Sequence, residues 1–519
     1  NGSAIFGADV ELPGMLYGTV KHCNYCGGKI KNVDDSKAKE IPGVIAVIPL
    51  EDQVIVVADS TWTAMRGAEK LKIDTTGGDN SLNDKNIFKQ FKTDIAQDGV
   101  LVAQRGDSIS AMRKAEKKVE MEYLSPMQAH AAMEPLCATA SVTPEGCEIW
   151  APTQSSDFAT MMAMGVTKLP PEKIKIQTTY LGGGFGRKIE YDFLLAPLVA
   201  SKALGKPVKI TWTREEDTKN DFFRPPFMIN MQFGLDSSGL PDGLKVKLVG
   251  PAVSRRWQMP PPWLEENGYD WVVTIGMFDG YNLPNQKPDL SKSYSIPNLK
   301  VDFVPSDIKV PTGAWRSIGT SHNIFALESG LDEVAVTGGN DPFELRGKLL
   351  SHNSRAIEVL DRAAELSGWG NPLEGRYLGM AYTDYLETYQ VQVAEISVSQ
   401  RGTVTVHKVT CVADCGQVFN PHIARQQLEG GIIFGLTAAL KGEINVQNGQ
   451  IVQSNFDDYP MLKLKDTPVI NVHLIDNHES PGGLGEAGTP LIGPAVANAV
   501  FAATGKRLRR LPIRRKDLA

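Results

Sequence analysis

The sequence predicts a mixed α/β (α+β) protein built from several domains. Short β-rich runs alternate with helix-like segments along the chain; glycine and proline are plentiful, at 49 and 32 residues; and a glycine-rich loop joins a strand-like run to a helix-like one. At 519 residues the chain can bury large cores, which points to about two to four domains. Composition is that of a globular protein, 42% hydrophobic and 22% charged, with no apolar run of the length a bilayer span needs. A formal net charge of −6 argues against nucleic acid as the main partner. The basic run from Lys506 to Lys516 is the exception and reads as a solvated tail or a subunit contact.

Residues 1–123 read as a small α/β unit. Val44 to Ile48 and Val54 to Val57 are strand-like, and Thr61 to Leu71 is a helix with Ala64, Ala68 and Leu71 on one face. Thr75 to Lys85 has the polar composition of a surface excursion, and Ala111 to Lys118 is a second helix running into the alternating strand Val119 to Tyr123. Residues 124–354 form a second unit around the glycine loop, with a strand from Ile174 to Leu181 and a helix from Glu190 to Ala203. Inside it, Trp257 to Tyr281 gathers Trp257, Trp263, Trp271, Phe278 and Tyr281 about Pro260-Pro261-Pro262, the composition of either a gating loop or a packed insertion. Residues 355–519 form a third unit, with a strand at Val404 to Val412 and helices at Pro421 to Leu440 and Gly493 to Thr504. Of the six cysteines only Cys23-x-x-Cys26 has metal or redox spacing, and no second pair completes a tetrahedral site. None shows the spacing that holds a plant-type iron–sulfur cluster.

The loop Gly182-Gly183-Gly184-Phe185-Gly186-Arg187-Lys188 is the most informative stretch. Four glycines in five positions let backbone N–H groups converge on an anionic or strongly polar cofactor. Arg187 stands where a dinucleotide fingerprint needs glycine, and Lys188 is not followed by the Ser or Thr of a P-loop. Four other segments set polar groups among small residues: Ala151 to Gln154, Gly313 to Ser317, Asp414 to Gly431, and Gly485 to Pro490. In the last, Glu486 lies between small residues, where a carboxylate is readily desolvated and suited to act as a base. The alternative is a loop or capping glutamate.

Taken in order with His130-Ala131-Ala132-Met133-Glu134-Pro135 and Trp212 to Asp217, these stretches resemble the molybdenum hydroxylases of the xanthine dehydrogenase and aldehyde oxidase type, in particular the large subunits of isoquinoline 1-oxidoreductase-like enzymes. The resemblance covers essentially the whole chain. It implies a small hammerhead-like domain followed by two large molybdopterin-binding domains. It also implies a molybdopterin cofactor, in the cytosine dinucleotide form, whose molybdenum is held by the pterin dithiolene and not by protein ligands. Gln154, Gly183, Gly184, Phe185, Gly186, Arg187, Arg316, Gln427 and Gly485 would surround that cofactor. Glu486 would be the catalytic base, and Phe185, Trp315 and Arg224 would face the substrate. The implied reaction is oxidation of an aldehyde or N-heteroaromatic compound with oxygen drawn from water.

Electrons would leave through a small partner subunit carrying two [2Fe–2S] clusters, with a cytochrome c among the acceptors the resemblance allows. Where the xanthine-oxidising branch places a second glutamate after the loop, Ile189 stands here, which disfavours a purine. The upstream Gly-Gln-Gly-x-x-Thr segment of isoquinoline-type subunits is absent from these residues, so a cleaved piece or a separate chain is expected to supply it. Family habit suggests a periplasmic or membrane-associated address. The competing reading is a non-catalytic scaffold relative within an electron-transfer complex.

Overall fold

The β-rich runs pair into three main sheets in the computed structural model, which describes residues 2–254, 270–278 and 293–518. A mixed seven-stranded sheet has the spatial order Ile174–Thr178, Cys147–Ala151, Cys137–Val142, Val208–Thr211, Leu16–His22, Gln53–Ala58 and Val44–Pro49. Gln53–Ala58 is buried at every position, the pattern of a strand covered on both faces. Helices Thr61–Glu69 and Leu195–Leu204 pack against this sheet. A five-stranded sheet runs Val100–Arg105, Asn298–Pro305, Pro241–Gly250, Phe227–Leu235 and Lys117–Ser125, and a four-stranded one runs Tyr377–Thr383, Tyr389–Val398, Val404–Asp414 and Val469–Ile475.

The boundary read at residue 123 is not where the sheets part. Strands from the first 123 residues enter both of the larger sheets: Leu16 pairs with Val208, and Lys117–Ser125 pairs along its length with Phe227–Leu235. That pairing also shortens the predicted helix at 111–118 to Ser108–Lys114, because Lys117 and Lys118 are drawn into the ladder opposite Leu235 and Gly234. The boundary at 354/355 falls in the first turn of helix Ser354–Ser367. The segment from Trp257 to Tyr281 lies outside the described residues apart from 270–278, where Phe278 is buried and Trp271 packs on the core.

Helix Thr320–Gly338 is buried almost throughout and lies against the five-stranded sheet, the edge strand Tyr377–Thr383 and helix Ile492–Thr504, so one core runs through both halves. Its Glu328 is wholly buried yet satisfied. Arg346, also wholly buried, pairs with it at 2.9 Å, and the Tyr294 hydroxyl and the Tyr382 N–H donate to it.

The basic C-terminal run is not a solvated tail. Arg507 pairs with Asp332, Arg509 with Glu333, and Arg510 and Arg514 with Glu443, while Leu508, Leu511 and Ile513 are buried. The Leu124 N–H donates to the Arg509 carbonyl and Leu124 forms a bridge with Arg510, so the end of strand Lys117–Ser125 is held by the basic run. All six cysteines are free; Cys23 and Cys26 line a cavity of about 290 Å³ beside His22 and Trp212.

Candidate active site

Strand Ile174–Thr178 delivers the chain to the glycine loop, and Glu134 fixes the loop at both ends. One of its carboxylate oxygens accepts the Gly182 N–H at 2.9 Å and the Lys188 ammonium at 2.7 Å. Arg187 is 2% exposed and makes a bidentate pair with Asp192 at 2.8 and 2.7 Å. It also lies 3.1 Å from Asp221. Both cations of the loop are thus spent on internal ion pairs, which explains why the predicted helix at 190–203 starts late: Asp192 is held in a 3₁₀ turn, and the α-helix runs from Leu195 to Leu204. The Arg187 side chain therefore belongs to the loop's foundation.

What the loop leaves open is backbone. Gly186 donates to Gln154 Oε1 at 3.2 Å, but the N–H groups of Gly183, Gly184 and Phe185 have no partner among the described residues, and Gly184 is buried. Buried backbone donors are almost always satisfied, so three adjacent open ones mark a place for an acceptor-rich group. Gly186, at φ 105°, cannot be replaced: a Cβ there would overlap the carbonyl of Ala314. His130 joins the same two segments, its Nδ1 lying 2.8 Å from Asp221 and its Nε2 2.9 Å from the Ala314 carbonyl oxygen.

The segment after Ala314 reaches Glu486. The Ser317 N–H donates to Glu486 Oε1 at 3.1 Å, and the Ser317 hydroxyl donates to the Glu486 carbonyl at 2.6 Å. The other carboxylate oxygen accepts the Tyr385 hydroxyl at 2.8 Å. Arg316 donates through Nε to the Gly485 carbonyl at 2.7 Å and through Nη2 to Gln427 Oε1 at 3.1 Å. Burial pulls the Arg316 pKa down, and the facing Glu486 carboxylate opposes that pull. Gln427 stands exposed on helix Pro421–Leu440, whose bounds agree with the sequence expectation. Backbone strain collects here too: Phe185, Ser317, Ile318, Leu386 and Glu387 all have positive φ, a conformation that non-glycine residues keep only where their surroundings enforce it.

Behind these groups stands an aromatic column. Phe185 stacks on Phe434 at 4.6 Å between centroids, Phe434 stacks on Trp315 at 4.5 Å, and the Arg224 guanidinium sits 5.3 Å from the Trp315 ring. Arg224 is 1% exposed and donates to the Pro126 carbonyl; burial pushes its pKa down to about 10. It cannot orient a substrate, because Trp315 lies over its guanidinium and the protein encloses the rest. Trp315 is itself buried, its indole N–H bonded to the Ala129 carbonyl, so of the three predicted substrate contacts only the half-buried Phe185 keeps an open surface.

The structure thus brings together Gln154, Gly183 to Gly186, Arg316, Gln427, Gly485 and Glu486, while Arg187, Arg224 and Trp315 support them from behind. Two residues escaped the sequence reading. Phe434 lies two helical turns beyond Gln427, on the same face, and that spacing could have flagged it. Tyr385 sits in a short 3₁₀ turn with no local signal at all.

Open amide donors, a held carboxylate and an exposed glutamine define the site of a cofactor-dependent protein, and models of the molybdopterin cofactor-binding domain match residues 88–252 and 371–468. The chain belongs to the xanthine dehydrogenase and aldehyde oxidase family of molybdenum hydroxylases. It is 30% identical to isoquinoline 1-oxidoreductase subunit beta of Brevundimonas diminuta, over 99% of this chain and 66% of that protein. It is 29% identical to the membrane-bound aldehyde dehydrogenase [pyrroloquinoline-quinone] of Gluconacetobacter polyoxogenes, over 100% of this chain and 70% of that protein. The chain therefore spans about two thirds of the length of these relatives. Its fold is that of quinoline 2-oxidoreductase from Pseudomonas putida 86, with a TM-score of 0.81 at 15% identity, over 99% of this chain and 95% of that one.

Proposed function

We propose that this chain is the molybdopterin-binding catalytic part of a hydroxylase that oxidises an aldehyde or an N-heteroaromatic compound with water-derived oxygen. The observation that carries the proposal is Glu486, a half-buried carboxylate held on both oxygens, joined through Ser317, Ala314 and Gly186 to a loop whose amide donors stand open. The residues present fit a pterin cofactor. Its oxygen and phosphate acceptors match the Gly183, Gly184 and Phe185 N–H groups, with Gln154 beside them and Gln427 and Arg316 on the helix side. When bound, that cofactor supplies the two-electron redox chemistry.

The chain's own residues do the rest. Phe185 offers an apolar face to a planar substrate, and Glu486 takes a proton, a contribution worth roughly 10²–10⁴-fold in rate. Glu190, next to the position where purine-oxidising relatives place a second glutamate, is 4% exposed, which supports an apolar substrate. The relatives' names span both substrate classes, and the name of the aldehyde dehydrogenase gives that protein a different cofactor, pyrroloquinoline quinone. The match to two molybdopterin-binding domain models favours the pterin for this chain.

The proposal extends to the cytosine dinucleotide form of the pterin and to a small partner subunit with two [2Fe–2S] clusters. It includes a cytochrome c acceptor and a periplasmic or membrane-associated location. Family resemblance supports these, together with the subunit name of the isoquinoline-oxidising relative. No helix among the described residues is long and apolar enough to cross a membrane. The test is Glu486→Gln in the natively purified complex: turnover is abolished while molybdenum stays near one per chain. Retained turnover refutes the base, and absence of molybdenum from the intact complex favours a scaffold.

A further inference from the structure

We propose that Tyr385 is a positioning residue for Glu486: its hydroxyl fixes the carboxylate in the orientation from which the base works. The inference rests on the reading of Glu486 as that base. Tyr385 is 5% exposed, and its hydroxyl lies 2.8 Å from Glu486 Oε2, while the Ser317 N–H holds Oε1. A carboxylate gripped on each oxygen by a different segment has one orientation.

The tyrosine is itself held by the loop that carries Glu486. After Tyr385 the chain turns through Leu386 at φ 55° and Glu387 at φ 60°. That strained turn is pinned by Gly483, whose N–H donates to the Leu386 carbonyl at 2.8 Å and whose carbonyl accepts the Thr388 hydroxyl at 2.9 Å. Gly482 packs so closely that a Cβ on it would stand 2.6 Å from the Glu387 carbonyl oxygen. Glu486 follows three residues after Gly483, so turn and base form one interlocked unit. Strain of this kind persists only where the surroundings over-determine it.

The hydroxyl suits the task because it donates to the carboxylate and can accept once the carboxyl is protonated, so the contact survives proton uptake. Of the charged groups around Glu486, Arg316 faces it from the segment before Ser317, and Asp384 and Glu387 flank Tyr385 on its own turn. Helix Pro421–Leu440 contributes the neutral Gln427.

Tyr385→Phe keeps the ring and removes the donor. A donor favours the ionised carboxylate, so its loss is expected to move the acidic limb of the kcat/KM–pH profile upward by about one to two pH units, the size of a hydrogen bond to a charged group. Turnover on the acidic side falls roughly ten- to a hundredfold, with molybdenum content unchanged. Gly482→Ala, which displaces the turn and leaves the hydroxyl in place chemically, is expected to shift the limb in the same direction. An unshifted limb in both variants, with Glu486→Gln inactive, overturns the role of Tyr385 and leaves the base standing. An active Glu486→Gln overturns the base and this inference with it.

Discussion

Replacing Phe434 by leucine tests whether the aromatic column braces the glycine loop. Phe434 is 8% exposed and is the middle ring, with Phe185 at 4.6 Å on one face and Trp315 at 4.5 Å on the other. Leucine keeps the site apolar but removes both stacking contacts, worth about 0.5–1.5 kcal/mol each, and leaves a small void worth roughly another 0.5 kcal/mol. The expected loss is therefore about 2–3 kcal/mol, concentrated where helix Pro421–Leu440 meets the loop. Because Phe185 is held at positive φ, loss of its support should free the loop before it loosens the core. Urea unfolding should show the stability loss. Hydrogen–deuterium exchange should show faster exchange in the peptide carrying Gly182 to Lys188, with the buried strand Gln53–Ala58 unaffected. A stability change under about 0.5 kcal/mol with unaltered loop exchange refutes the bracing role.

Two further predictions concern buried charge. Glu134→Gln leaves the Lys188 ammonium, whose side chain is 0% exposed, without its carboxylate; about 3–5 kcal/mol of stability should be lost in chemical denaturation, and a loss below about 1 kcal/mol would show the pair to be dispensable. His322 is fully buried and stacked 4.1 Å from Phe227; burial and then the nearby Arg224 push its pKa down from 6.5 to about 3. With the folded pKa depressed, the unfolded chain takes up the proton first. Its contribution is therefore complete above pH 6.5 and fades as pH falls toward about 3, by roughly 4–5 kcal/mol at most. His322→Phe should flatten the unfolding free energy against pH across that window, and an unchanged slope would place the acid sensitivity elsewhere.

Much of the site was legible because its elements carry local signals. The glycine loop announces open amides by composition, helix Pro421–Leu440 announces itself by an asparagine cap and a proline at its first position, and Glu486 stands out as a carboxylate among glycines. Arg224 misled for the opposite reason. An arginine among aromatics looks alike in sequence whether it faces a substrate or backs a tryptophan, and only the packing of Trp315 over it decides. Tyr385 reaches Glu486 across about a hundred residues of chain, so no window of sequence contains the pair. Strand pairing across residue 123 was equally hidden, since strand composition does not say which partner a strand will choose. The basic C-terminal run looked solvated because its acidic partners, Asp332, Glu333 and Glu443, are distant in sequence.

The bridge between Leu124 and Arg510 sets a timetable for synthesis. The five-stranded sheet has its edge strand Lys117–Ser125 well upstream of the backbone that closes over its end, at Arg509 and Arg510. At about 5–20 residues per second, Leu124 waits roughly 20–80 s for its partner. During that interval the end of that strand and part of a shared apolar core are open to wrong neighbours. A chain of this design should depend on chaperones that hold the nascent form, and stop codons placed just before Arg507 should yield aggregated rather than merely less active protein.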